Sequence, residues 1–130
     1  SSLNPGWKTK WPEFNQWTEQ SVECVTLDQL IDRHGLPDFC KIDVEGHEPE
    51  VLAGLSRPIP LLSFEAAPDF EVNTQRCLAR LSTLGGYEYN FSVGDDFDWV
   101  SKTWLPQKDA LQLIKADAGD IYARLLSRQR

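Results

Sequence analysis

The chain has 130 residues, 41% of them hydrophobic and 25% charged, with a formal charge of -7. That length supports one modest core and is short for two ordinary domains. The acidic balance excludes a surface built to neutralise phosphates, because nucleic-acid affinity rests on clustered Lys and Arg, and no apolar run approaches the ~18 residues needed to span a bilayer.

The opening Ser1-Ser2-Leu3-Asn4-Pro5 lacks the charged and apolar pattern of a signal peptide. Cys24, Cys40 and Cys77 are odd in number and have no metal-ligand spacing, so they read as buried free thiols in a reducing compartment. A soluble, cytoplasmic protein is expected. The sequence contains no methionine, and it reads as part of a longer polypeptide.

Residues 1–20 carry Trp7, Trp11, Phe14 and Trp17 among Pro5, Gly6 and Pro12 without sustained periodicity, and form an irregular, aromatic-rich lead-in to a domain over 21–130. These tryptophans suit either a platform for a sugar-like acceptor or packing against another part of a larger fold. Val22 and Cys24 alternate with polar neighbours as in a short strand. Thr26 and Gln29 then have capping-box spacing, which predicts a helix with Leu27, Leu30 and Ile31 inward, stopped by Gly35 and Pro37.

Phe39 to Val44 is apolar and partly β-branched and predicts a strand. Gly46 supplies a permissive turn, and Pro49 suits the first turn of a helix over 48–55. Ile59 to Phe64 predicts a buried strand ending at Glu65, residues 73–84 a helix closed by Gly85-Gly86, and Tyr87 to Val93 another strand. Asp98 to Leu105 is expected as one more strand. Leu111, Ile114, Ala118, Ile121 and Leu125 recur at three- and four-residue steps, which predicts a helical tail split at Gly119. The order predicts an α/β fold: mainly parallel strands with an antiparallel edge, and helices on both faces.

The densest chemistry lies in Asp43, Glu45, His47 and Glu48, with Glu65 at the end of the neighbouring strand. Ligands of open α/β sheets sit beyond the carboxyl ends of strands, where these groups are expected to gather. Crowded carboxylates beside an imidazole are groups whose pKa values are tuned for acid or base work. Glu45 alternates away from Asp43 unless Gly46 has already turned the chain. Glu48 suits the positive end of a helix, and Asp28 reads as a first-turn acid. The same cluster could also hold Mg²⁺ or Mn²⁺ in a hydrolase, although its spacing matches no metal motif and no metal is assigned.

Val25-Thr26-Leu27-Asp28-Gln29-Leu30-Ile31, Lys41-Ile42-Asp43-Val44-Glu45-Gly46-His47-Glu48, Val51-Leu52 with Gly54, and Leu62 with Phe64-Glu65 resemble the FkbM-type methyltransferases. The resemblance covers about residues 20–67. It implies a Rossmann-like class I methyltransferase sheet, of which this chain is the C-terminal half, that uses S-adenosylmethionine to methylate a hydroxyl on a sugar, polyketide or related metabolite.

The resemblance also implies a Gly-rich loop after the first strand and an acidic residue after the second, and this chain has neither. No residue here is assigned to the cofactor, and this stretch by itself is not expected to be active. In this reading Asp43, His47 and Glu45 are the catalytic candidates, while Asp43, Glu65 and Glu48 are the acceptor-binding ones. The partners expected are a small-molecule or carbohydrate acceptor, with neither nucleic acid nor a membrane span, and self-association through an exposed sheet edge. A non-catalytic assembly module that keeps half the fold is the alternative.

Overall fold

The structure, a computed structural model, describes residues 24–94, 98–114 and 117–126. Helix α1 (Leu27–His34) starts as its capping box demands. The Gln29 N–H donates to Thr26 Oγ1 at 3.1 Å and the Thr26 N–H to Gln29 Oε1 at 2.8 Å. Ile31 is its buried residue, Leu27 is half-buried against the core, and Leu30 is largely outside. Strand β1 (Cys40–Ile42) then leads through a turn into α2 (Glu48–Ala53), which has Pro49 in its first turn.

Strand β2 (Leu61–Ala66), a 3₁₀ turn (Pro68–Phe70), helix α3 (Glu71–Leu84) and strand β3 (Tyr87–Val93) follow. A short α4 (Gln107–Ala110) continued by a 3₁₀ turn (Leu111–Leu113), and strand β4 (Gly119–Leu125), come after β3.

These strands form one mixed sheet in the order β1-β2-β4-β3. β1 and β2 are parallel, and β4 pairs antiparallel with both β2 and β3. Three strands thus run one way, and the reversed one lies inside the sheet rather than at its edge. That corrects the expected topology, and the cause is the tail. The residues from Gly119 onward form the inserted strand, not a second helical piece, because they alternate Ile121, Ala123 and Leu125 against Asp120, Tyr122 and Arg124.

Asp98 to Leu105 is not a strand either. It wraps the outer edge of β3 through a single bridge between Leu105 and Tyr89 and a hydrogen bond from the Val100 N–H to the Phe91 carbonyl. The buried Asn90 amide clamps this segment: its Oδ1 accepts from the Ser101 N–H at 3.1 Å, and its Nδ2 donates to the Ser101 carbonyl at 2.9 Å.

The register sorts side chains into two faces. Ile42, Leu62, Phe64, Ile121, Ala123, Tyr89 and Phe91 point into one apolar core together with Leu52, Leu55, Cys77, Leu78 and Leu81 from the helices. Among the described residues the helices therefore join a core on one face of the sheet, not on both. The other face carries Lys41, Ser63, Glu65, Asp120, Tyr122, Arg124, Glu88, Asn90 and Ser92. The three cysteines are free, and Cys24 is exposed rather than buried. Residues 21–23 of the strand expected around Cys24, and the tryptophans of the lead-in, lie outside the described residues.

Candidate functional site

The site begins where β1 stops. Asp43 follows the last strand residue and is exposed. The chain then reverses over two residues with positive φ, Glu45 at 51° and Gly46 at 99°. The left-handed region is costly for a residue with a Cβ, by roughly 1–2 kcal/mol, and residues held there cluster at functional sites.

Two side chains hold the turn. Asn73 of α3 donates from Nδ2 to the Gly46 carbonyl at 2.9 Å, and Glu48 folds back so that its Oε1 accepts the Gly46 N–H at 3.1 Å. Glu48 is only 4% exposed, and its Oε2 has no hydrogen-bond partner. His47 goes the other way. It occupies the N-cap position of α2 without capping it, its side chain is 74% exposed, and Nδ1 lies 3.9 Å from Glu50 Oε1.

The sheet then sets carboxylates in line. Glu65 of β2 stands directly opposite Asp120 of β4, and Asp120 opposite Ser92 of β3. Ile42 pairs with Phe64, so the next residue of each chain puts Asp43 beside Glu65. The result is a row across the sheet, Asp43, Glu65, Asp120 and Ser92, at the carboxyl ends of β1, β2 and β3. Desolvation, and then the negative charge of Asp43, Glu48, Asp120 and Glu45, push the Glu65 carboxyl above its ordinary range. One rank lower on the same face lie Lys41, Ser63, Tyr122 and Asn90. Ser63 is fully buried, and its Oγ has no hydrogen-bond partner.

Of the residues singled out in the sequence, Asp43, Glu45, Glu48 and Glu65 therefore meet at one end of the sheet, while the His47 ring turns along α2 toward Glu50. Sequence reasoning missed Asp120 and Ser63. The period-two alternation from Asp120 to Leu125 would have revealed the former had the helical spacing of the tail not been followed instead.

An apolar cleft of about 560 Å³ opens on the same face. Phe39, Leu61, Trp99, Trp104 and Tyr122 wall it, with Arg124 and Ser92 beside them. Trp99 meets Tyr122 edge-on at 4.9 Å and Trp104 at 5.0 Å. Arg124 lies over the Trp104 ring at 4.2 Å and donates to Glu88 Oε2 at 2.9 Å, so its charge is already engaged. Ser92 belongs to both the cleft and the carboxylate row, which makes them one continuous surface.

Among the described residues no group of three His, Cys, Asp or Glu is arranged to hold a metal ion, so the geometry lends nothing to the hydrolase reading. No described helix is long and apolar enough to cross a membrane. Comparison with known proteins gives one family: the model of the methyltransferase FkbM domain matches residues 2–71, more than half of the chain. No curated protein matches it.

Proposed function

Because the chain belongs to the FkbM methyltransferase family, we propose that it forms the acceptor side of an S-adenosylmethionine-dependent O-methyltransferase acting on a hydroxyl of a sugar, polyketide or related metabolite. We read its sheet as the C-terminal half of a Rossmann-like methyltransferase domain. The order β1-β2-β4-β3, with one reversed strand among three that run together, supports this.

The observation that carries the reading is the position of Asp43, exposed at the carboxyl end of β1 and beside Glu65. Substrates of open α/β sheets bind there. A hydroxyl donating to an Asp43 carboxylate oxygen is fixed in direction and raised in electron density, and the same oxygen receives its proton as the new bond forms. Glu65 accepts a hydrogen bond from a neighbouring hydroxyl of the acceptor, while the buried Glu48, the other acceptor-binding candidate, holds the Gly46 N–H and so fixes the turn that presents Asp43. Glu45, at a positive φ in the turn after β1, lies near enough for its charge to act on Glu65. His47 stands at the solvent edge and acts through the outer part of the acceptor. The aromatic cleft gives the body of a ring-shaped or polyketide-like molecule an apolar wall next to the row.

S-adenosylmethionine supplies the electrophilic methyl group when bound. The described residues do not fit its adenosyl and methionine ends. The turn after β1 has a single glycine, whose carbonyl Asn73 already holds, and a Cβ at Gly85 would lie 2.9 Å from the Leu125 side chain, so that glycine serves packing. What these residues supply is hydrogen-bond acceptance and proton removal at the acceptor oxygen.

The test is transfer of a radiolabelled methyl group from S-adenosylmethionine to a panel of hydroxylated sugars and polyketides. Where residues outside those described hold the cofactor, label on oxygen is expected, with Asp43→Asn lowering kcat by about 10²–10⁴-fold and His47→Gln changing it far less. No label with any acceptor, from this chain or from any longer natural product of its gene, would rule the reading out.

A further inference from the structure

Residues 44–47 make a tight turn. The His47 N–H donates to the Val44 carbonyl at 3.3 Å, and the two residues between them, Glu45 and Gly46, both have positive φ. That is the φ signature of a type I′ turn, which ordinarily joins hairpin strands and favours Asn or Asp before its Gly. Here it joins a strand to a helix, and the residue before the Gly is a glutamate. A long side chain in the left-handed region persists only where its surroundings over-determine it.

The hold on this turn comes from two helices. Glu48, at the start of α2, accepts the Gly46 N–H, and Asn73, in the first turn of α3, donates to the Gly46 carbonyl. Helix α3 follows β2, so the Asn73 bond ties the connection that leaves β1 to the one that leaves β2. Those are the strands whose carboxyl ends bring Asp43 and Glu65 together. Asp43 itself lies between the last ladder residue, Ile42, and the turn. The ladder fixes the chain on one side of it, and the turn fixes it on the other.

We propose that Asn73 is a positioning residue for the acceptor site: its amide keeps Glu45 and Gly46 left-handed, and the turn so held sets Asp43 beside Glu65. The role needs a donor at that place, not bulk. Without one, Glu45 relaxes toward negative φ, and the chain between Ile42 and α2 takes another path. The mechanistic part rests on the reading of Asp43 as the group that meets the acceptor hydroxyl.

The experiment is NMR on the isotope-labelled chain with no ligand added. In the parent, scalar couplings across Glu45 should report a positive φ, and NOEs should join Asp43 to Glu65. Asn73→Leu keeps the bulk and Asn73→Asp keeps the shape, and neither donates at neutral pH. Both should lose the positive φ and the NOEs, and Gly46 amide exchange should quicken roughly two- to tenfold, the factor for one hydrogen bond of ordinary net strength. Thr74→Val removes the bond from Thr74 Oγ1 to the Phe70 carbonyl, one residue further along α3, and should change none of these. Adding Glu45→Asn to Asn73→Leu should restore them, because Asn is at home in a left-handed turn. Where methyl transfer is measured, Asn73→Leu should lower kcat by roughly 10²-fold, as a small misplacement of a reacting group does, with the acceptor KM changed far less.

A turn that survives both Asn73 variants, an equal loss in Thr74→Val, or no recovery with Glu45→Asn would overturn the proposal. So would a lost turn that leaves kcat untouched, an outcome under which the proposed function stands. Loss of the turn and of the NOEs, with no methyl acceptor found, would sustain Asn73 as the residue that holds Asp43 in place and count against the proposed function.

Discussion

Glu65 on β2 and Asp120 on β4 face each other directly across an antiparallel ladder, two acidic side chains where such a pair is ordinarily unfavourable. Partial desolvation and the surrounding carboxylates raise the Glu65 carboxyl above its usual 4.5, so the folded chain holds that proton to higher pH than the unfolded chain does. Stability is therefore lost as pH rises from about 4.5 through the folded-state value. Glu65→Gln cannot ionise. It should be more stable than the parent at pH 7, by about 0.2–1 kcal/mol and at the low end because the site is wet, with the difference closing near pH 4. Thermal melts at the two pH values check this, and a variant equally or less stable at pH 7 contradicts it.

Asp28 behaves in the opposite sense. Its Oδ1 accepts the Ser56 N–H at 2.8 Å, tying the start of α1 to the segment after α2, and that bond holds its carboxyl below the usual 3.8. The stabilisation is present above about pH 3.8 and is lost as pH falls through the folded-state value. Asp28→Ala should lower the denaturation midpoint at pH 7, and the gap should narrow in strong acid.

Most of the elements were legible because local signals and tertiary packing agreed. The Thr26 and Gln29 spacing gave a capping box, Pro49 sat in the first turn of α2, and the carboxylates after β1 and near the end of β2 came together. The tail was not legible, because Leu111, Ile114, Ala118, Ile121 and Leu125 follow helical steps while the period-two pattern of β4 is only one strand long. Misreading it hid Asp120 and put the reversed strand at the wrong place in the sheet. Asp28 looked like a simple first-turn acid, and its long-range bond to Ser56 leaves no trace in sequence spacing. For Ser63, the face it points to followed from its strand, but the lack of a partner depends on every neighbouring side chain.

Gly119 allows β4 to enter the sheet. A Cβ there would overlap the Ser92 carbonyl oxygen and lie 2.8 Å from Phe91 Cζ, and the first of these is backbone that cannot turn aside. Gly119→Ala should cost about 1–3 kcal/mol, the usual range for overpacking, measured by urea denaturation. A neutral result would mean that β3 and β4 are not as close as the register requires.

The thiols should separate in a mass-resolved alkylation time course. Cys24 is exposed and should react first. Cys40, half-buried and with its thiol pushed up by desolvation, should follow. Cys77 is 1% exposed, and desolvation pushes its thiol up to about 12, so it should react only as the core opens. Early labelling of Cys77 would contradict the packing of α3 against the sheet.

Because β4 follows β2 and β3 in chain order yet lies between them, neither neighbour can complete its hydrogen bonding until it arrives. β3 has no direct ladder to β2, so a chain emerging from the ribosome holds the β1–β2 pair and a β3 without a sheet partner until β4 is free to slot in. Every β2–β4 contact closes a loop of more than fifty residues, as in Glu65 with Asp120, which places this protein among folds whose speed is set by non-local pairing. The carboxylate row is complete only once β4 is in place, so a chain truncated before Gly119 would carry Asp43 and Glu65 without Asp120.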